Sequence, residues 1–277
     1  EFPTEIPFPE YDIVVFENKF PSLSSGAPPP AVEGDVLMPV RPSEGACEVI
    51  CYSQDHESTL ATLPLMQVRK LMRVWKERTI ELSRRSEVEY VFIFENKGKE
   101  IGVTLSHPHG QIYAYPYIPP VLQTELVNEK AHWERTRRNL YDDWLGTEGS
   151  ERVVFSNESF VALVPFFARY PYEVHIVAKS NLTSLASAEP SHLDDLASAI
   201  HDVVKRYDRL FGFSMPYVMA VHQMPQSGYE FTRLHVEFYP PYRTADKLKF
   251  LAGSEAGAGA FINDTLPEES AARLRAV

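Results

Sequence analysis

Cysteine is scarce in this chain: Cys47 and Cys51 are the only two among 277 residues. So few cysteines exclude a disulfide-rich scaffold and are typical of a reducing compartment. Their spacing does not match the two-residue gap of a zinc knuckle, and the run 47–52 is largely apolar. We therefore interpret both residues as buried strand cysteines.

Long apolar runs are missing as well. No stretch approaches the roughly 20 residues of a membrane-spanning helix, and there is no signal peptide with a charged start and an apolar core. We therefore expect a cytoplasmic protein without a membrane partner. The first residue is Glu1 rather than Met, so we expect upstream residues that this sequence does not include.

Positively charged residues are also few. The chain has 27 Lys and Arg residues and 38 Asp and Glu residues, which gives a formal net charge of −11. No tract rich in Lys and Arg offers a footprint for nucleic acid, so we expect no nucleic-acid partner. A small anionic substrate is still compatible with this charge, since local donors can bind phosphate. Hydrophobic residues make up 44% of the chain, which is ample for a substantial core.

One segment, 106–115, carries two histidines and an amide on alternate residues of an apolar, strand-like run. Alternate side chains of a strand share a face, so His107, His109, Gln111 and Tyr113 are predicted to project together. A buried imidazole without a partner costs about 1–3 kcal/mol, so this face is expected to meet a metal, a ligand or a hydrogen-bond network. A hydrogen-bonded pair of core histidines is the alternative interpretation.

The two halves of the chain repeat one order of predicted elements: strand, strand, helix, strand, loop and histidine strand. Their last strands align as 109–113 with 235–239, which predicts a duplicated unit. We expect an α+β fold with antiparallel sheets and helices packed on them, the halves joined edge to edge or face to face. The predicted units are an N-terminal half, 1–120, a linking helix within 121–150, and a C-terminal half with a tail, 151–277.

His109 can act as a nucleophile, because a neutral imidazole can attack phosphorus and leave again at neutral pH. Its other ring nitrogen would then donate to a backbone carbonyl, which fixes the tautomer. Gln111 could donate to a phosphoryl oxygen as charge builds there. Gly110 either keeps the backbone beside the nucleophile uncrowded or serves strand packing.

Two further groups of residues are candidate metal ligands. The first combines histidine with carboxylate and suits zinc or iron, with an ordinary polar network as an equal alternative: Glu125, His222, His235 and Glu237. The second pairs His56 with His107, and because two histidines are too few for a structural zinc, its other ligands would have to come from elsewhere. The remaining histidines weighed are interpreted as surface or packed side chains: His132, His175, His192 and His201.

Several motifs together identify a family. Residues 94–98 (FENKG) and 106–112 (SHPHGQI) closely resemble the active-site segment of galactose-1-phosphate uridylyltransferase, a branch of the histidine-triad superfamily. Further similarity spans nearly the whole chain, at 11–16, 49–51, 55–56, 216–217, 234–235, 238–241 and 272–277. The resemblance implies two histidine-triad-like units.

The resemblance implies a ping-pong reaction of the Leloir pathway of galactose metabolism. His109 would attack the α-phosphorus of UDP-glucose, release glucose 1-phosphate and hold UMP as uridylyl-histidine. Galactose 1-phosphate would then take the UMP to give UDP-galactose, and Gln111 would bond the transferred group. The alternatives are a sister phosphorylase or adenylyltransferase acting on ADP-sugars, and an inactive nucleotide-sugar-binding protein.

Substrate-binding residues are also implied by the resemblance. Asn18 and Lys19 would lie near the uridine. Those near the phosphates would be Asn96, Gly102, Val103 and Thr104, and those near the sugar or its phosphate would be Lys249, Phe250 and Glu255. In the family the last group comes from the neighbouring subunit, which implies a homodimer with shared active sites.

Two structural metals are implied. The first is a zinc held by His56, His107 and two cysteines that would precede Glu1, so this site is incomplete in the present sequence. The second, zinc or iron, would be held by the four residues of the histidine and carboxylate group. Glu237 stands where relatives usually have histidine, and a carboxylate there adds negative charge and hardens the site.

Overall fold

The computed structural model of the chain describes residue 6 and residues 8–103, 105–226 and 228–277. The first half forms β1 (Val14–Glu17), β2 (Ala46–Cys51), α1 (Leu65–Ser83), β3 (Tyr90–Lys97) and β4 (His109–Tyr115). Helices α2 (Pro120–Thr136) and α3 (Leu140–Thr147) follow. The second half forms β5 (Val153–Ser156), β6 (Phe160–Leu163), β7 (Val174–Ala178), α4 (Pro190–Phe211), β8 (Tyr217–His222), β9 (His235–Tyr239), β10 (Tyr242–Thr244), β11 (Lys247–Leu248) and α5 (Pro267–Arg275).

Nine of these strands form one antiparallel sheet in the order β1-β2-β4-β3-β8-β9-β7-β6-β5. Strands β1-β2-β4-β3 and β6-β7-β9-β8 have matching arrangements, each with its long helix connecting the second and third strands along the chain. The halves meet edge to edge where β3 pairs with β8, Ile93 lying opposite Val221. The α+β expectation is confirmed, while the unit boundaries stay predictions.

The main core lies between one face of this sheet and the helices α1 and α4, which pack against each other. Both helices present apolar residues at helical spacing, and their largest buried side chains include Trp75 and Tyr207. The strands contribute alternate residues to the same core, such as Ile93, Ile112 and Phe238. Because strand side chains alternate, the residues between them project from the opposite face.

That opposite face is covered over the second half by α2 and α3. Glu125 of α2 hydrogen-bonds to His222 of β8, and Tyr141 of α3 packs against His235 with ring centroids 5.1 Å apart. His235 is consequently only 2% exposed. On β4 the corresponding side chains, beginning with His109, are half-buried.

Two helices occupy the stretch in which the sequence predicts one linking helix. Arg137 ends α2 in the left-handed conformation, with φ of +57°. Asn139 then caps α3, its side-chain oxygen accepting a hydrogen bond of 2.8 Å from the backbone N–H of Tyr141. Glycine is the usual residue at a left-handed helix end and arginine is uncommon there, so the sequence did not indicate that the helix ends at this position.

Two expectations about the chain as a whole can be compared with the structure. Cys47 and Cys51 are buried in β2 and form no disulfide, as interpreted from the sequence. In the part of the chain that the structure describes, no helix combines the length and apolar character needed to cross a membrane.

Candidate active site and metal centre

His109 begins β4, the strand that lies between β2 and β3. His109 lies opposite Cys51 of β2, and Gln111 lies opposite Phe94 of β3. The alternating burial along β4 places His109, Gln111 and Tyr113 on the face that α1 and α4 leave free. These three residues match part of the stripe predicted from the sequence, and His107 lies before the strand begins.

The orientation of the His109 ring leaves one nitrogen for chemistry. Nδ1 lies 2.8 Å from the carbonyl oxygen of His107. A carbonyl only accepts, so Nδ1 carries the proton and donates it, and Nε2 keeps its lone pair. This is the tautomer that a nucleophilic imidazole requires.

Two cavities flank His109, and both are lined by His107 and His109. The first has a volume of about 510 Å³ and is also lined by Asn18, Lys19 and Gln111. The second has a volume of about 350 Å³ and is also lined by Asn96, Lys97, Lys99 and Val103. The nucleophile candidate therefore stands between two spaces with different polar linings.

Five of the substrate-binding residues expected in the first half line these cavities, Asn18, Lys19 and Gln111 the first and Asn96 and Val103 the second, whereas Gly102 lines neither. Asn18 is held by its own loop, where its side-chain oxygen accepts a hydrogen bond of 3.0 Å from the backbone of Phe20. Gly102 ends a short helix with φ of +88°, a conformation that favours glycine. Thr104 lies outside the described residues.

The structure does not bring the C-terminal candidates to His109 within one chain. Lys249 is buried, and its Nζ donates to Glu255, 3.2 Å away, and to the carbonyl of Ile262. Phe250 beside it is 75% exposed. Among the described residues, these three make no hydrogen bond to His109 and line neither cavity.

His56 and His107 are brought together as predicted. Their Nδ1 atoms are 2.8 Å apart, and Nε2 of His107 lies 3.0 Å from the Tyr11 hydroxyl. Burial and the neighbouring His56 and His109 lower the pKa of His107, which favours its neutral form. Within the described ranges no third His, Cys, Asp or Glu joins this pair as a ligand group.

Beneath His109, on the core side of the sheet, Tyr52 reaches under the backbone of Gly110. A Cβ at position 110 would overlap the Tyr52 hydroxyl oxygen and lie 3.0 Å from its Cζ. The hydroxyl donates to Glu95 over 3.3 Å, and the hydroxyl of Tyr217 donates to the same carboxyl group over 3.2 Å. Of the two interpretations of Gly110, close packing is therefore the one supported.

Glu95 is a buried carboxyl group that was not predicted from the sequence as a functional residue. Burial raises its pKa to about 7, although Lys97 and the two tyrosine hydroxyls act in the opposite direction. The sequence of β3 contains a weak indication of this burial, because Glu95 stands at a position of the strand alternation where an apolar, core-facing residue is expected. The carboxyl ties Tyr52 to Tyr217 below the strand that carries His109.

The predicted histidine and carboxylate group forms a cluster, which we call the metal cluster and which is buried except for the half-buried Glu125: Glu125, His222, His235 and Glu237. One ligand atom from each residue lies within 4.8 Å of the others. Nδ1 of His235 donates to the carbonyl of Arg233 over 2.9 Å, which leaves its Nε2 to face the cluster. His222 and His235 lie opposite each other on β8 and β9.

The charges around the metal cluster suit a cation. Burial alone would lower the pKa of His222, but the carboxylates of Glu125 and Glu237 raise it to about 9. Burial would raise the pKa of Glu237, yet His175 and the cluster histidines hold it well below its usual range. Glu129 adds a buried carboxyl whose Oε2 has no hydrogen-bond partner among the described residues. Converging donors and surplus carboxylate fit a divalent metal such as zinc or iron.

His175 and Arg169 also border the metal cluster, although the residue pattern did not connect them with it. His175, interpreted from the sequence as a surface or packed histidine, is buried between Glu173 and Glu237. Arg169 lies in the loop before β7 and contacts the same two carboxylates. The alternation of Glu173 and His175 indicates that both side chains lie on one face of a strand. Their contact with Glu237 of β9 becomes evident only when the pairing of β7 with β9 is known.

Comparison with known proteins bears directly on these two sites. The model of the galactose-1-phosphate uridyl transferase N-terminal domain matches residues 4–119, and the model of the C-terminal domain of the same family matches residues 126–277. The chain belongs to the galactose-1-phosphate uridylyltransferase family. The histidine strand lies in the first matched domain, and His222, His235 and Glu237 of the metal cluster lie in the second, while Glu125 falls between the two matched ranges.

Named relatives agree with this assignment. The galactose-1-phosphate uridylyltransferase of Thermotoga maritima is 43% identical over 271 residues, which is 96% of this chain and 85% of that protein. The enzyme of the same name from Streptomyces lividans is 40% identical over 97% of this chain and 75% of its own length.

Solved structures show the same fold. A uridylyltransferase structure matches with a TM-score of 0.92 and 35% identity, over 96% of this chain and 86% of that one. An ADP-glucose phosphorylase from Arabidopsis thaliana matches with a TM-score of 0.83 over 99% of this chain and 83% of its own, at 22% identity. The second likeness concerns the fold alone.

Proposed function

We propose that the protein is a UDP-glucose–hexose-1-phosphate uridylyltransferase, which exchanges UMP between UDP-glucose and galactose 1-phosphate through a uridylyl-His109 intermediate. The observation that carries this proposal is the His109 ring, whose Nδ1 is bonded to the His107 carbonyl while both cavities border the residue. Membership of the family supplies the identity of the substrates.

In the first half-reaction, the Nε2 lone pair of His109 attacks the α-phosphorus of UDP-glucose. The bond from that phosphorus to the bridging oxygen breaks, and its electron pair leaves with glucose 1-phosphate. A phosphate departs as an anion at neutral pH, so this step needs no proton donor. The carbonyl of His107 accepts from Nδ1–H and stabilises the positive charge that the ring acquires.

In the second half-reaction, a phosphate oxygen of galactose 1-phosphate attacks the same phosphorus and the phosphorus–nitrogen bond breaks. Gln111 donates its side-chain N–H to a phosphoryl oxygen in both steps. Asn18 and Lys19 hold the uridine on one side of His109. Asn96 and Val103 hold the phosphates on the other, and Gly102 and Thr104, the latter outside the described residues, complete the predicted phosphate-binding segment.

A structural metal, zinc or iron, belongs to the proposal. The residues that would hold it are those of the metal cluster, where it would join α2 to β8 and β9. His56 and His107 would be two ligands of a further zinc, and no step of the reaction depends on that site. A cytoplasmic location agrees with the two free cysteines.

A homodimer with shared active sites completes the proposal. Lys249, Phe250 and Glu255 do not reach His109 within the chain, so we propose that they bind the sugar or its phosphate in the neighbouring subunit. The exposed ring of Phe250 supports this assignment, because an aromatic side chain facing solvent is well placed to cover a partner's site.

The reaction is tested by incubating the protein with UDP-glucose labelled in its α-phosphate. We expect an acid-labile, base-stable label on the protein, which galactose 1-phosphate then removes as UDP-galactose. His109→Gly should take no label, whereas the control His201→Asn should label like the parent. Equal labelling of His109→Gly and the parent would show that the nucleophile is assigned to the wrong residue.

The same assay separates the alternatives. Faster labelling from ADP-glucose than from UDP-glucose would favour the ADP-sugar enzyme. Tight binding of UDP-glucose without label or exchange would favour a binding protein that has lost activity.

Sharing of active sites is tested by mixing two defective variants. His109→Gly lacks the nucleophile, and Phe250→Ala alters an exposed residue with little risk to folding. If the sites are shared, subunit exchange between the two creates a site with both residues intact, and exchange activity returns. Mixtures no more active than either variant alone would argue that each subunit works by itself.

A further inference from the structure

The Glu237 carboxylate is held from outside the metal cluster at both of its oxygens. Oε1 lies 3.3 Å from Nδ1 of His175, and Oε2 lies 3.1 Å from the guanidinium of Arg169. Tyr239 donates its hydroxyl to Oε2 as well. None of these three residues belongs to the four that converge as candidate ligands.

His175 is itself fixed from behind. Its Nε2 lies 2.8 Å from Oε1 of Glu173, which is fully buried. Two backbone N–H groups, those of Arg169 and Tyr170, donate to the other oxygen of Glu173 over 2.6 and 3.1 Å. Trp144 and Phe167 pack edge-on around the His175 ring. The imidazole therefore has a fixed place between two carboxylates.

Such support matters more for a glutamate than for a histidine ligand. A histidine ligand is oriented by one hydrogen bond from its second nitrogen, as His235 is by the carbonyl of Arg233. A glutamate has three side-chain torsions and two equivalent oxygens, so it converges with the other donors only if its neighbours hold it. Here those neighbours come from β7 and the loop before it.

We propose that His175 is a positioning residue of the metal centre, which through Nδ1 holds the Glu237 carboxylate where its oxygens converge with His222, His235 and Glu125. Glu173 holds the imidazole in turn. This inference rests on the metal centre of the proposed function, and it adds a residue of β7 to a site otherwise built from α2, β8 and β9.

The test compares two substitutions that each keep one half of the imidazole. In His175→Asn the side-chain nitrogen takes the place of Nδ1 and can still reach Glu237. In His175→Gln the nitrogen takes the place of Nε2 and can reach only Glu173. We expect His175→Gln to bind zinc about 10–100-fold more weakly than the parent, as for loss of an outer-sphere partner, and His175→Asn to retain most of the affinity.

Zinc affinity is measured on the full chain by competition with a chromophoric chelator, with zinc alone as the probe. His201→Asn and His201→Gln serve as matched controls and should bind like the parent. In the cobalt-loaded protein, both His175 variants should keep the parent's visible absorption bands, because the ligands themselves are unchanged. His222→Ala, which removes a ligand, should change them.

Four results would overturn the proposal. Parent-like zinc affinity in His175→Gln, or weaker binding in His175→Asn than in His175→Gln, would show that Nδ1 does not position Glu237. Altered cobalt bands in both His175 variants would make His175 a ligand instead. A parent that binds no zinc or cobalt would overturn the centre as well, while leaving uridylyl transfer to be judged by its own assay.

Discussion

Strands β4 and β9 carry the same hydrogen bond in the two halves of the molecule. Nδ1 of His109 donates to the carbonyl two residues before it over 2.8 Å, and Nδ1 of His235 does the same over 2.9 Å. This hydrogen bond leaves Nε2 of each ring to face its surroundings, where Nε2 of His235 lies 3.5 Å from the Tyr141 hydroxyl and 3.6 Å from Oε1 of Glu237. Each copy of the duplicated unit thus fixes a histidine in the tautomer whose Nε2 is basic, and the neighbouring residues determine whether that nitrogen faces a metal site or a substrate site.

The surroundings differ in cover and in charge. Around His235, α2 and α3 close the face of the sheet and bring Glu125 to the cluster. In the described part of the first half, the face around His109 opens into two cavities instead. A covered histidine among carboxylates suits a cation, and an open one suits a substrate that must enter and leave.

The largest expected effect comes from removing the shared histidine in one half at a time. His109→Gln should lower uridylyl transfer by roughly 10⁴-fold or more, the scale of losing a covalent nucleophile, and should keep the metal. His235→Gln should lose the metal and still accept the uridylyl group. Labelling and elemental analysis of the same preparations check both. A His109→Gln protein that lost its metal would show that the two sites do not act independently.

Glu95, on β3 of the first half, gives the next effect. The pKa of Glu95 is about 7 in the folded protein and 4.5 in an unfolded chain. Between pH 4.5 and pH 7 the folded protein therefore keeps a proton that the unfolded chain releases. Stability should therefore fall as pH rises through this interval, by about 3 kcal/mol. Glu95→Gln should lack this loss.

Urea unfolding at pH 5 and pH 8 measures the difference. Glu158→Gln, at an exposed glutamate, should behave like the parent. Equal losses of stability in the parent and in Glu95→Gln between the two pH values would contradict the assignment.

Position 110 sharpens the comparison further, because the aligned residue of β9 is Val236. Gly110→Ala would push against Tyr52, and we expect it to lose about 1–3 kcal/mol of stability through overpacking. Displacement of His109 by a fraction of an ångström should also lower transfer, up to about 10²-fold.

The control is Gly146→Ala in α3, where a Cβ would meet nothing within 4 Å. It should be neutral or stabilising, since alanine favours a helix. Unfolding by urea and the transfer assay test both variants, and a Gly110→Ala protein as stable and active as the parent would remove the packing argument.

Tyr52→Phe should have the smallest effect. It removes one hydrogen bond to Glu95, worth about 1 kcal/mol, and Tyr217 still donates to the carboxyl group. Unfolding free energies measured against Tyr229→Phe, which lies in a loop, provide the check. A loss far above that value would mean that the hydroxyl does more than bond to Glu95.

Much of this organisation could be predicted from residue patterns. The alternation of His107, His109 and Gln111 predicted the open stripe, and the alignment of 109–113 with 235–239 predicted the repeat. Both depend on the period of a strand, which is local information. The ligand residues on α2, β8 and β9 were candidates because histidine and carboxylate suit a metal, and the family resemblance implied the same four. The structure brings them together.

What could not be predicted depends on which strands are neighbours. Tyr52 meets Glu95 only because β4 lies between β2 and β3 and has a glycine at the crossing point. His175 meets Glu237 only because β7 pairs with β9. The break between α2 and α3 was missed for a different reason, since an arginine adopts the conformation usually given to glycine.

The crossing of Tyr52 beneath Gly110 also constrains how this protein can change over time. An alanine at position 110 meets the hydroxyl oxygen first and Cζ only at 3.0 Å, so it should be better tolerated once phenylalanine occupies position 52. Residues in contact show such non-additive effects. The two sites are therefore epistatic, and the accessible evolutionary path alters the tyrosine before the glycine.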